Sequence, residues 1–159
     1  MRIFGFLIVL MVLINGSCGL KSPKDYEFGF YHWKSIPQNQ SNQANYLNEL
    51  KVKNLHYRFF DLALEGDQIM PVGEAIPDTT LLKDRTFTSC IFITNECFIK
   101  LSQAETNELI DKLLFKLTDR IRKLNMESQW IEIQIDCDWS QKTRPAYFYF
   151  LEELSLIHI

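Results

Sequence analysis

Two aspartates in the C-terminal third of the chain carry the sharpest chemical signal in the sequence. Asp136 and Asp138 lie near the end of the segment WIEIQIDCDW (residues 130–139), in which polar and apolar residues alternate. Alternate residues of a strand face the same side, so both carboxylates are expected on one face. Neighbouring carboxylates repel, which favours protonation of one, and an acid beside an ionised carboxylate suits acid–base catalysis. The pattern predicts a catalytic pair; the alternative is a solvated polar strand edge.

Other residues able to bind a ligand also lie at the ends of predicted strands. They are His32, Trp33, Arg58, Asn95 and Trp139. In parallel α/β proteins, sites form at the carboxyl ends of the strands, so we expect these five to line a substrate-binding site beside the aspartates. The tryptophans can stack on sugar rings or belong to the core, and Arg58 can bind an acidic group or pair with Asp61 or Asp136.

The elements that must position these residues alternate along the chain. Strands are predicted at 26–33, 55–64, 86–94 and 130–139, and helices at 45–52, at 102–125 and from Pro145 onward. The long helix opens with Ser102-Gln103-Ala104-Glu105, a capping-box pattern. This order predicts an α/β fold, the N-terminal half of a truncated (β/α)8 (TIM-type) barrel, because a complete barrel needs eight strands and ~250 residues. The alternative is a small, complete α/β sandwich.

The fourth predicted strand also resembles a known motif. Ile135-Asp136-Cys137-Asp138-Trp139-Ser140 resembles the fourth-strand motif of chitinase-like family 18 glycoside hydrolases, Asp-x-Asp-x-Glu with Trp commonly before the Glu. The resemblance implies that Asp136 is the inner carboxylate and that Asp138 orients a substrate acetamido group. Ser140 stands where the proton-donating Glu belongs, and loss of that acid normally removes hydrolysis.

More of the chain is similar to uncharacterised bacterial lipoproteins with a glycoside-hydrolase-like barrel. The similarity rests on the leader, on RFFD in the second strand, on FITN at the end of the third and on IDCDW in the fourth. It implies an envelope lipoprotein that binds or hydrolyses carbohydrate through strand-end carboxylates. The alternative is a non-catalytic envelope binding or scaffolding lipoprotein, so the sequence fits either an enzyme or a binding protein.

Both ends of the chain differ from the part between them. Residues 1–17 have the charged start and apolar run of an export signal peptide, too short for a ~30 Å bilayer, and small residues precede Cys18. This resembles a lipoprotein cleavage box, so we expect Cys18 to be lipidated, 18–25 to form a tether and the membrane to be a partner through the lipid. The protein would lie in the cell envelope, on the outer membrane or the periplasmic face. The alternative is ordinary secretion with Cys18 as a spare thiol.

The last six residues, 154–159, are identical to a translation of adapter DNA. The adapter is the transposase end sequence used to prepare sequencing libraries, and one of its reading frames encodes these six residues. We therefore expect adapter read-through there and a barrel domain at 26–153, the alternative being a genuine apolar tail.

The chain has a net charge of −3 and 23% charged residues, which argues against a nucleic-acid partner. No metal-binding spacing or Gly-rich phosphate loop occurs, so we expect neither a metal nor a cofactor. No disulfide pairing can be derived for Cys90, Cys97 and Cys137.

Overall fold

The computed structural model describes residues 29–34 and 41–157. The strands are β1 (Gly29–His32), β2 (Asn54–Glu65), β3 (Gln68–Val72), β4 (Thr86–Ile93) and β5 (Trp130–Asp136). The α-helices are α1 (Ser41–Glu49), α2 (Thr79–Leu82), α3 (Gln103–Leu124) and α4 (Arg144–Ser155), and a 3-10 helix spans Asn95–Phe98. The leader at 1–17, Cys18 and the tether at 18–25 lie outside the described residues.

The strands form one mostly parallel sheet in the order β1-β2-β4-β5. Each of these neighbouring pairs is parallel. β3 folds back on the second half of β2 as an antiparallel hairpin, with Asp61 opposite Val72 and Glu65 opposite Gln68. The parallel strands therefore follow one another across the sheet in chain order, which is the arrangement produced by successive β-α units.

One face of the sheet carries the apolar core. Leu55 of β2 and Ile91 of β4 belong to a single buried cluster with Leu113 of α3 and Phe150 of α4, to which α2 also contributes. Ile135 of β5 and apolar residues of α1 are partly buried and pack against this cluster. Crossovers of one hand between strands in sequential order bring their helices to the same face of a sheet. The opposite face is consequently left to polar side chains.

The helix predicted at 102–125 is confirmed. Ser102 accepts a hydrogen bond from the backbone N–H of Glu105, and the Glu105 carboxylate accepts one from the backbone N–H of Ser102, which completes the predicted capping box. The helix ends at Asn125, whose left-handed backbone (φ 54°) lets its N–H close the last turn. The predicted start of the last helix near Pro145 is confirmed as well.

Two predictions of strands need correction. No strand is predicted between Glu65 and Asp84, yet β3 forms there. Its Pro71 is tolerated because β3 has a single partner strand within the described residues and lies at an edge. The strand predicted at 130–139 ends at Asp136. Its last three residues leave the sheet, so Asp138 and Trp139 are not held by strand geometry.

Within the described residues, no helix combines the length and apolar character needed to cross a membrane.

Candidate functional site

The side of the sheet that faces away from the apolar core is polar, and we call it the polar face. Its side chains alternate with core residues along the strands, as the period of a strand requires. The residues of this face that form the candidate site are Tyr31, Trp33, His56, Arg58, Asp61, Cys90, Gln134 and Asp136. The predicted alternation of β5 is confirmed at Gln134 and Asp136, whereas Ile133 and Ile135 pack against the core.

Gln134 is the centre of a hydrogen-bond network on the polar face. Its Oε1 accepts a hydrogen bond from the Tyr31 hydroxyl at 2.7 Å and lies 3.0 Å from His56 Nδ1. Its Nε2 donates to Asp136 Oδ1 at 2.9 Å. The Cys90 thiol on β4 also donates to Oε1, at 3.9 Å. The network therefore joins four strands and includes one of the two predicted catalytic aspartates, Asp136.

The bond between Tyr31 and Gln134 joins side chains from two strands that are not neighbours. β1 and β5 are three strand spacings apart, which is about 14 Å in a flat sheet. The Tyr31 hydroxyl nevertheless lies 2.7 Å from Gln134 Oε1. The side chains of the polar face therefore converge above β2 and β4.

Three rings form a row on the polar face, at its β1 side. The Tyr31 ring stacks on His56 with centroids 4.5 Å apart, and on Trp33 with centroids 5.7 Å apart and planes only 8° from parallel. Tyr31 is 50% exposed and Trp33 is 49% exposed. Trp33, a predicted substrate-binding residue, therefore presents aromatic surface to solvent beside polar groups. Phe60, by contrast, is completely buried in the core.

Arg58, another predicted binding residue, pairs with Asp61, one of the two partners expected from the sequence. Its Nε donates to Asp61 Oδ1 at 2.9 Å, and Nη2 forms an ion pair with Asp61 Oδ2. Residues three apart in a regular strand face opposite sides, but the register shifts between Arg58 and Phe60, which brings Arg58 and Asp61 to the same face. The Asp61 carboxylate raises the pKa of Arg58, and the guanidinium remains charged.

Gly73, in the turn after β3, lies directly against this ion pair. A Cβ at Gly73 would lie 2.6 Å from Arg58 Nη2 and 3.2 Å from Asp61 Oδ2. Gly73 also has φ +56°, a conformation that other residues adopt at a cost.

Asp138 and Trp139 lie beyond β5, and both are exposed. The Trp139 ring packs edge-on against Phe148, with centroids 5.6 Å apart. The Arg144 guanidinium lies 5.8 Å from the centroid of the Trp139 ring. Trp139 is therefore part of a surface cluster with α4, and the carboxylate of Asp138 is open to solvent.

Asn95 binds the loop that follows β5. Its Oδ1 accepts hydrogen bonds from the Ser140 backbone N–H at 3.1 Å and from the Thr143 hydroxyl. The Ser140 hydroxyl in turn lies 3.1 Å from Thr143 Oγ1. Asn95, expected to contact substrate, thus uses its carboxamide oxygen to join the loop after β4 to the loop after β5. Ser140, the position of the proton donor in the resembling motif, is a member of the same loop structure.

His32 is not brought together with the other predicted site residues. It pairs in register with Tyr57, and its ring stacks on the buried Tyr57 ring at 4.4 Å, on the core side of the sheet. Burial lowers the pKa of His32, so the ring favours its neutral form.

The three described cysteines are free thiols. Burial, followed by the nearby charge of Asp136, raises the pKa of Cys90 to about 12. Burial also raises the pKa of Cys137 to about 11, and that of Cys97. All three are therefore protonated near neutral pH and unsuited to nucleophilic chemistry.

Gln134 and His56 belong to the polar face but are not among the residues predicted to be catalytic or to bind substrate. The alternation of β5 places Gln134 on the same face as Asp136. A glutamine side chain by itself, however, does not indicate a hydrogen bond to Tyr31 of β1. The part of the chain that the structure describes contains no group of three or more His, Cys, Asp or Glu side chains able to hold a metal ion.

No family model, curated protein or solved structure matches this chain.

Proposed function

We propose that this protein binds a carbohydrate on its polar face. The observation that carries the proposal is the half-exposed pair of nearly parallel rings, Trp33 and Tyr31, beside the hydrogen-bond network of Gln134. Aromatic faces pack against the apolar faces of ring-shaped ligands. Sugar hydroxyls both donate and accept hydrogen bonds, and Arg58 and Asp136 supply a donor group and an acceptor group on the same face.

Binding can be tested by titrating the purified chain with a panel of oligosaccharides that includes acetamido sugars. We expect Trp33→Ala to weaken the affinity for a bound oligosaccharide about tenfold, equivalent to ~1.4 kcal/mol. The matched control is Phe115→Ala, which removes an aromatic ring that is 75% exposed on α3, far from the polar face in the fold. No binding by any member of the panel, or equal losses in both variants, would refute the proposal.

Hydrolysis is the second candidate, and the resemblance of the residues around Asp136 and Asp138 favours it. Against it, Ser140 occupies the position of the family's proton donor and is engaged with Asn95 and Thr143. Asp138→Asn distinguishes the two functions. Lost turnover with a retained fold supports an enzyme, whereas unchanged oligosaccharide binding and no turnover in either protein support a binding protein.

We also propose that the sheet belongs to a (β/α)8 barrel. Sequential parallel strands, helices that share one core and polar side chains that converge on the other face support this fold. Resequencing the source gene past the codon for Glu153 tests it. Further strand–helix units in frame support the barrel, and a stop codon directly after Glu153 supports the small α/β sandwich instead.

The location is a proposal from the leader sequence alone: export, cleavage before Cys18 and lipid anchoring in the cell envelope. Metabolic labelling with an alkyne fatty acid in a bacterial host tests it. We expect label on the wild-type protein and none on Cys18→Ser. Equal labelling of both proteins, or none of either, would contradict lipidation at Cys18.

A further inference from the structure

The network around Gln134 defines which way its amide group faces. Nε2 lies 2.9 Å from Asp136 Oδ1, and Oε1 lies on the opposite side, toward Tyr31 and His56. A carboxylate has no proton to donate, so the NH₂ group must face Asp136. The reversed amide would place two oxygens at 2.9 Å with no proton between them. Asp136 thus determines that an oxygen faces His56.

An oxygen acceptor opposite His56 Nδ1 determines where that ring carries its proton. Gln134 Oε1 is 3.0 Å from Nδ1, a hydrogen-bond distance, and an amide oxygen only accepts. Nδ1 must therefore be the donor. In a neutral imidazole with its proton on Nδ1, Nε2 has a free lone pair and is a hydrogen-bond acceptor.

His56 is only partly buried. Its Nε2 lies 3.4 Å from the point that a Cβ on Gly29 would occupy, and Gly29 has no side chain at that point. Stacking on the Tyr31 ring at 4.5 Å restrains the plane of the imidazole. Among residues 29–34 and 41–157, no hydrogen-bond partner of Nε2 is present.

We infer that Gln134 is a positioning residue, which holds His56 as the Nδ1–H tautomer so that Nε2 accepts a hydrogen bond from a hydroxyl group of a ligand on the polar face. The identity of the hydroxyl as that of a sugar rests on the proposed function. The tautomer itself is a property of the free protein, and it follows from the chain Asp136–Gln134–His56.

Nitrogen-15 NMR of the histidine side chains tests this assignment directly, at a pH where the ring shifts report the neutral form. The His56 signals are identified by their absence in His56→Gln. We expect the Nδ1–H pattern in the wild-type protein and its loss in Gln134→Leu, where the acceptor is gone. The matched control is Gln141→Leu, an exposed glutamine in the loop after β5, which should leave the pattern unchanged.

A second variant, Asp136→Asn, provides a result even if Gln134→Leu does not fold. In Asp136→Asn the side chain at 136 has both a donor and an acceptor, so the Gln134 amide is free to turn over and we expect mixed tautomers. An Nε2–H pattern in the wild-type protein would overturn the inference. So would an Nδ1–H pattern that persists in both variants.

Adding a bound oligosaccharide separates this inference from the proposed function. A change in the Nε2 shift of His56 supports both, because a new donor has reached the lone pair. The expected tautomer pattern in all variants, without a shift for any sugar of the panel, supports positioning by Gln134 and counts against carbohydrate as the ligand.

Discussion

Replacing Gly73 with alanine measures what the ion pair of Arg58 and Asp61 contributes to stability. The left-handed backbone of Gly73 costs any residue with a Cβ about 1 kcal/mol. In addition, the new Cβ would lie 2.6 Å from Arg58 Nη2 and displace the guanidinium from Asp61. Both side chains of the pair are mostly shielded, at 19% and 17% exposure, so separating them should cost a further ~1–2 kcal/mol. We expect Gly73→Ala to lower the free energy of unfolding by about 2–3 kcal/mol in urea titrations.

Gly66 provides the matched control, because it shares the backbone conformation but not the contact. It has φ +63°, and nothing lies within 4 Å of the Cβ that alanine would add. Gly66→Ala should therefore cost only about 1 kcal/mol. In an Arg58→Ala background the cost of Gly73→Ala should fall to the same value. Equal losses for the two glycine variants in the wild-type background, or a difference that persists without Arg58, would refute the reasoning.

Three further predictions concern the helix cap, the loop after β5 and a buried thiol. Ser102→Ala should destabilise the protein by ~1 kcal/mol in urea titration, because the first turn of α3 loses its cap; an unchanged midpoint would contradict this. Asn95→Ala should accelerate hydrogen exchange at the Ser140 amide, which loses one of its two acceptors, and leave exchange in the core of α3 unchanged. Because the pKa of Cys90 is about 12 in the folded protein against 9.0 for an ordinary thiol, the unfolded state loses this proton first. The free energy of unfolding should therefore fall as the pH rises above about 9, by up to ~1.4 kcal/mol per pH unit, and the slope should be shallower in Cys90→Ala.

The elements that the sequence predicted well are those whose signals are local. Helix α3 has a cap at Ser102 and an apolar stripe of several turns, so neither its start nor its buried face depends on distant residues. The alternation in β5 identified the polar and apolar faces of that strand, again from neighbouring positions alone. Its end at Asp136 was not predictable from alternation, because Cys137 and Asp138 continue the pattern in sequence while the backbone has left β4.

The hairpin of β2 and β3 was missed for a different reason. Gly66, Pro71 and Gly73 argue against a long helix in this segment, and the same residues also weaken any strand signal. β3 forms because half of β2 extends beyond β1 and leaves that edge available for pairing. The pairing of β3 therefore depends on β2 being longer than β1. The relative lengths of two strands are a property of the assembled sheet.

The same distinction explains why the centre of the candidate site was not identified from the sequence. Asp136 was identified because a carboxylate at a strand end is chemically conspicuous, and Gln134 was passed over because an amide on a polar face is not. What gives Gln134 its importance is the approach of Tyr31 from a strand about 14 Å away across a flat sheet. That approach depends on the twist of every strand, on the register shift beside Phe59 and on the lean of both side chains, which are properties of the assembled sheet. The chemistry of single residues can therefore be proposed from sequence, whereas the tautomer of His56 follows only once β2 and β5 are known to bring His56 and Gln134 together.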